Sequence, residues 1–96
     1  MIHQIFIKDE IKPETAVEIT GQLAGMSFEA GDEVDFYFDS EGGYIEPAFV
    51  IAHCIDTLIE EGVVTRGIVT GRCNSSAIIP FLSCLIRECT EGASFL

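Results

Sequence analysis

The feature that most constrains this chain is its regular alternation between short β-branched runs and longer segments with apolar residues at helical spacing. Several of the short connections contain glycine or proline, which end regular elements. Strands and helices that alternate in this way build a parallel sheet through right-handed crossovers, so the sequence predicts an α/β fold. The predicted strands are 3–7, 33–38, 63–70 and 93–96, and the predicted helices are 13–25, 47–61 and 74–89.

Two corners that contain glycine follow two successive predicted strands. The first reads Asp-Ser-Glu-Gly-Gly over residues 39–43, and the second reads Gly-Arg-Cys-Asn-Ser-Ser-Ala over residues 71–77. Ligands of parallel sheets bind in a crevice at the carboxyl ends of the strands. We therefore expect both corners to border one crevice.

The second corner places two serines at the start of an apolar helix. The pattern over 74–89 is apolar nearly all round, which predicts a helix that is buried on several sides. Backbone N–H groups at a helix start have no partners within the helix, so they can stabilise negative charge that develops beside a hydroxyl. This arrangement suits serine acyl transfer. The simpler interpretation, which the local sequence alone favours, is that Asn74 or Ser75 is only an N-cap.

The composition limits the classes of partner. The chain has 96 residues, is 48% hydrophobic and carries a formal net charge of −11. This charge argues against nucleic acid and against an anionic membrane surface, while the apolar content predicts an interface. The four cysteines follow no metal-ligand spacing, and Asp35, Asp39 and Glu41 are interpreted as a solvated face, so no metal or cofactor is expected. Neither a signal peptide nor a membrane span is evident, which favours a cytoplasmic protein.

Taken together, the two corners resemble those of the Clp proteolytic subunit (ClpP). Residues 35–43, Asp-Phe-Tyr-Phe-Asp-Ser-Glu-Gly-Gly, are similar to that family's strand and Ser-Pro-Gly-Gly corner, and residues 71–77 are similar to its Gly-Gln-Ala-Ala-Ser-Met-Gly corner. The opening Gln-Ile-Phe-Ile of residues 4–7 resembles the family's first strand. The resemblance implies a ClpP/crotonase-like spiral of β-β-α units with a buried central helix. Residues 1–96 would form roughly the N-terminal half of that domain, in truncated form.

The resemblance also assigns roles to individual residues. Ser75 falls on the nucleophile, and the backbone N–H groups of Gly43 and Ser76 fall on the oxyanion hole. Ser76 is the fallback nucleophile, because adjacent serines permit a slip of one residue. Pro80 departs from the family pattern, and since proline lacks an N–H and crowds the preceding turn, it predicts a kink near the site.

A serine nucleophile needs a base to take its proton. His3 lies on the first predicted strand and His53 on the second predicted helix, and neither resembles the family's base. The family's histidine would follow just beyond Leu96, and its acid would come later still. We therefore expect the 96-residue chain to carry the nucleophile and to lack peptidase activity.

The resemblance implies an endopeptidase of the cytoplasm that assembles into rings and receives unfolded polypeptide from an ATP-driven unfoldase. Two alternatives remain open. A crotonase-like module shares the spiral and the two-corner oxyanion hole, but it acts on acyl-CoA thioesters without a serine nucleophile. A non-catalytic relative would serve only in interactions.

Overall fold

Four strands form one parallel sheet in the order in which they occur along the chain. The computed structural model describes all 96 residues. Its strands are β1 (Ile2–Ile11), β2 (Glu33–Gly43), β3 (Val64–Cys73) and β4 (Ile86–Cys89). Its helices are α1 (Pro13–Ala24), α2 (Ile45–Glu60) and α3 (Ile78–Ser83), and a 3-10 turn, Ser75–Ala77, precedes α3. The α/β class, the parallel sheet and the adjacency of β2 and β3 are confirmed.

The core lies between the three helices and one face of the sheet. Because side chains alternate across a strand, every second residue of β1 and β2 points into it. The strand residues of the core include Ile5, Ile7, Val34, Phe36, Phe38 and Val69, and the helix residues include Ala16, Ile19, Ile51, Ile55 and Phe81. The other face of the sheet carries Phe6 and Tyr37, whose stacked ring centroids lie 5.2 Å apart.

The helix ends follow local sequence signals. Pro13 opens α1, where its missing N–H would have no partner in any case. Gly62 follows α2 with a φ of +85°, the left-handed conformation that glycine adopts readily after a helix, as the sequence predicts. None of the helices is long and apolar enough to cross a bilayer.

The chain beyond Cys73 departs from the prediction. The expected helix 74–89 is wrong in its second half, because α3 ends at Ser83 and the chain then turns into β4. Arg66 pairs with Ile86 to begin the β3–β4 ladder, and the N–H of Leu85 donates to Thr65 Oγ1 at 2.9 Å. Backbone groups of Ile86–Cys89 therefore pair with β3, whereas in a longer helix they would pair within the helix.

Two further expectations about this region have different outcomes. Pro80 and Phe81 of α3 are buried, so the central helix is buried as expected, although Leu82 is 59% exposed. The expected strand 93–96 is absent as a ladder element, although Ser94 makes a single parallel bridge with Arg72. Pro80 is the third residue of α3, which follows the 3-10 turn directly, and the kink expected from this proline stays a prediction.

Candidate active site

Ser75 has an unusual backbone conformation at the second corner. Its φ is +53°, and Asp9 is the only other non-glycine residue with a positive φ. Such a conformation costs on the order of 1–3 kcal/mol and persists only where the surroundings impose it, which is frequent at functional sites. The Ser75 N–H donates to the carbonyl of Leu96 at 2.6 Å, and the residue itself is exposed.

The two adjacent serines occupy opposite environments. Ser76 is 5% exposed, and its hydroxyl has no hydrogen-bond partner. Only Ser75 therefore presents its side chain to solvent. The nucleophile candidate and its fallback thus differ in access.

Asn74 does not act as the N-cap that the simpler interpretation proposed. It occupies the cap position, but its side chain makes no capping hydrogen bond. Its Oδ1 instead accepts from the N–H of Leu96 at 3.1 Å and from the hydroxyl of Ser94 at 3.4 Å. Asn74 thereby ties residues 94–96 to the serine corner, and the capping interpretation is wrong.

The structure brings the two glycine corners together as expected. Gly42 has a φ of +92°, and a Cβ placed on it would lie 2.5 Å from the Asn74 carbonyl oxygen and 2.8 Å from Ser75 Cβ. Asn74 N–H also donates to the carbonyl of Ser40 at 3.1 Å. Gly43, in contrast, lies against the backbone of Ile11. The glycine pair indicated a close approach, but the sequence held no signal that Gly42 is the member facing Ser75.

Ser40 fastens the first corner to β1. Its buried hydroxyl donates to the carbonyl of Asp9 at 2.5 Å and accepts from the N–H of Gly42 at 3.1 Å. Because this buried hydroxyl both donates and accepts a hydrogen bond, its orientation is fixed, which favours a single conformation. The position of Gly42 is therefore set from both sides, by β1 and by the serine corner.

Arg72 lies among three carboxylates near the corners. Asp39 Oδ1 accepts hydrogen bonds from the Nε and from the backbone N–H of Arg72, both at 3.1 Å. Glu41 and Asp9 lie farther from the guanidinium, at 3.7 and 3.9 Å. The hydrogen bonds from Arg72 hold the pKa of Asp39 below its ordinary value. The sequence did not predict the hydrogen bonds between Arg72 and Asp39.

Asp35 does not lie on a solvated face, and that expectation is wrong. It is 7% exposed, and its Oδ1 lacks a hydrogen-bond partner. Burial, and next a hydrogen bond with Glu33, raise its pKa to about 6, while Arg66 acts in the opposite direction. No group of three or more His, Cys, Asp or Glu side chains is arranged to hold a metal ion.

Neither histidine lies at the serine corner. His3 pairs with Val34 at the start of β2, and its Nε2 is 3.8 Å from Asp32 Oδ2. From Val34 to Ser40, at the corner, the strand extends about 20 Å. His53 is an exposed residue in the middle of α2.

One comparison with known proteins shows the family of this chain, and another shows its fold. The family model for Clp protease matches residues 2–85. ClpP1 from Listeria monocytogenes is 21% identical with a TM-score of 0.83, over 97% of this chain and 54% of that chain. A peptidase from Plasmodium falciparum is 18% identical with a TM-score of 0.80, over 96% of this chain and 60% of that chain. The ClpP protease catalytic domain from the same organism is 24% identical with a TM-score of 0.69, over 85% and 45%.

The chain spans roughly half the length of these solved proteins. At such low identities, the likeness shows the fold. No curated protein matches the chain.

Proposed function

Because the chain belongs to the Clp protease family, we propose that residues 1–96 are the N-terminal part of a ClpP-like serine endopeptidase domain. The observation that carries this proposal is the backbone of Ser75. This exposed serine is held at a φ of +53° against the first corner, and strained backbone of this kind is frequent at functional sites.

In the proposed reaction, Ser75 Oγ attacks the carbonyl carbon of a peptide bond. A base takes the hydroxyl proton, a C–O bond forms, and the carbonyl oxygen becomes an oxyanion that accepts from the N–H groups of Gly43 and Ser76. As the intermediate collapses, the C–N bond breaks and the base returns the proton to the leaving amine. Water then releases the acyl group by the same steps in a second round.

Fixed donors are the main contribution of this half of the domain. Removing one oxyanion donor typically lowers kcat by on the order of 10²–10³. Such donors are effective only if they do not have to move during the reaction. The close contact between Gly42 and Ser75, and the bond from Asn74 N–H to the Ser40 carbonyl, support a rigid arrangement of the two corners.

The proposal extends to partners and location. The substrate is unfolded polypeptide, delivered by an ATP-driven unfoldase, and the protein is a cytoplasmic homo-oligomer. Exposed apolar side chains such as Phe49 and Val17 support self-association. A crotonase-like module would also use two corners, but it has no use for the exposed hydroxyl of Ser75.

The test is covalent labelling by a fluorophosphonate probe, which reacts with an activated serine. The protein is prepared with its chain extended past Leu96 by the downstream sequence, so that a base is supplied. We expect labelling that Ser75→Ala abolishes. Ser76→Ala is the matched variant, because it keeps the backbone N–H and removes only the neighbouring hydroxyl.

Two outcomes would contradict the proposal. Labelling that is lost in Ser76→Ala and kept in Ser75→Ala would move the nucleophile by one residue. An extended chain that folds but is not labelled at all would favour the crotonase-like or the non-catalytic alternative.

A further inference from the structure

The ladder between β2 and β3 contains an irregularity just before both corners. The last regular pair and the first pair beyond it are Phe38 with Val69 and Ser40 with Cys73. Over this interval β2 advances by two residues and β3 by four, so residues 70–72 stand opposite Asp39 alone. Irregularities of this kind occur next to active sites, where they re-aim side chains.

The carboxylate of Asp39 fills the place of the missing ladder partner. Its Oδ1 accepts from the backbone N–H and from the Nε of Arg72, both at 3.1 Å. A Cβ on Gly71 would lie 2.6 Å from the same oxygen, so glycine at this position lets the carboxylate approach the backbone. This differs from an ordinary surface ion pair, which contributes little because it fixes only two mobile side chains.

The pair stands at the base of both corners. Arg72 precedes Ser75 by three residues, and Asp39 precedes Gly42 by three residues. We propose that Asp39 and Arg72 are positioning residues that set the alignment of the two corners. This inference rests on the function proposed above, because alignment of the corners matters to catalysis only if they form the reaction site.

Amide hydrogen exchange of the 96-residue protein, followed by NMR, tests the pair directly. In Asp39→Ala we expect the Arg72 and Asn74 amides to exchange about tenfold faster, relative to core amides of the β1–β2 ladder. Asp39→Asn keeps an oxygen acceptor and should restore most of the protection at Arg72. Glu41→Gln is the matched control, because it removes a carboxylate from the same guanidinium without touching the backbone bond, and it should leave both amides unchanged.

A merely structural role would give a different result. Equal acceleration of local and core amides would show a general loss of stability and overturn the proposal, as would an equal effect of Glu41→Gln. If Asp39→Ala does not fold, Arg72→Met, which keeps every backbone group, decides instead. In this variant the Asn74 amide should exchange faster relative to the core amides. If the Asn74 amide is not accelerated relative to them, the proposal is overturned.

Fluorophosphonate labelling of the extended chain links the pair to the reaction. We expect the labelling rate to fall in Asp39→Ala, to recover in Asp39→Asn and to stay constant in Glu41→Gln. Normal labelling in Asp39→Ala would overturn the positioning role and leave the proposed function intact. An unlabelled wild-type chain would overturn the proposed function, while the exchange measurement still decides whether the pair aligns the corners.

Discussion

At the scale of residues, environment separates side chains that the sequence makes look alike. Ser75 and Ser76 are neighbours of the same type, yet Ser75 is exposed, whereas Ser76 is buried and its hydroxyl has no hydrogen-bond partner. Asp35 and Asp39 lie four residues apart on the same face of β2, yet Arg72 lowers the pKa of Asp39 and burial raises the pKa of Asp35. Residue type predicts neither the difference in exposure nor the difference in pKa, because both depend on the surroundings that the fold creates.

The raised pKa of Asp35 predicts a pH dependence of stability. The carboxyl binds its proton more tightly in the folded protein, with a pKa of about 6 against an ordinary 3.8. Between these values the folded state holds more protons than the unfolded state, so the free energy of unfolding falls as pH rises through this window and remains lower above it. In Asp35→Asn this fall should be absent, and the variant should gain stability over wild type above about pH 6.

Urea unfolding of both proteins across this pH range measures the effect. Asp56→Asn, at an exposed position of α2, removes the same charge and should keep the wild-type pH dependence. A fall in Asp35→Asn as steep as in wild type would show that other carboxyl groups cause it.

At the scale of elements, the strands were predictable where each had a distinctive pattern. β2 alternates Val34, Phe36 and Phe38 with polar residues, and β3 has apolar residues on both faces, so their adjacency and direction followed from the sequence. The two corners could be placed at one edge for the same reason. The contact of one corner with the other depends on the register of β2 against β3, which no pattern within one strand specifies.

The contact between the corners predicts an asymmetry between two glycines of equal φ. Gly42 and Gly31 both have a φ of +92°, but a Cβ on Gly42 would strike the serine corner, whereas one on Gly31 would meet nothing within 4 Å. Gly31→Ala therefore measures backbone strain alone. Gly42→Ala should destabilise by about 1–3 kcal/mol more, the usual range for an overpacked site. Equal urea midpoints for the two variants would show that the corners separate easily.

The region after Ser83 shows why β4 was not predictable. Leu85 and Ile86 continue the apolar spacing of α3, and no glycine or proline lies between Ser83 and Cys89 to mark a boundary. A short apolar run of this kind is compatible with helix or strand. The free edge of β3 decides, since pairing with it satisfies backbone groups of Ile86–Cys89.

At the scale of the whole molecule, the helices and the sheet leave several large apolar side chains in solvent. Val17 is 73% exposed on α1, and Phe49 and Ile45 are 58% and 61% exposed on α2. We predict that the protein self-associates, because burial of such side chains between copies releases about 25 cal/mol per Å². Sedimentation velocity over a range of concentrations measures this. A single monomeric species at the highest soluble concentration would contradict the prediction.

The position of the histidines predicts that the 96-residue chain has no measurable peptidase activity. A serine without a base retains only the catalysis of the oxyanion hole and of binding, on the order of 10³–10⁴ over water, which is invisible in an ordinary peptide assay. A fluorogenic peptide assay checks this prediction. Clear turnover that His53→Ala abolishes would show that α2 supplies the base.

The order of the strands has a consequence for how the chain acquires its structure during synthesis. Each strand pairs with the one before it, so no later strand has to be inserted between two earlier ones. Parallel pairing is slow because each crossover must close before its contacts form. Because the N-terminal strands are synthesised first, the sheet can grow by adding each new strand at one edge, in the order of translation. The serine corner follows β3, so its residues are synthesised after those of the glycine corner that it contacts.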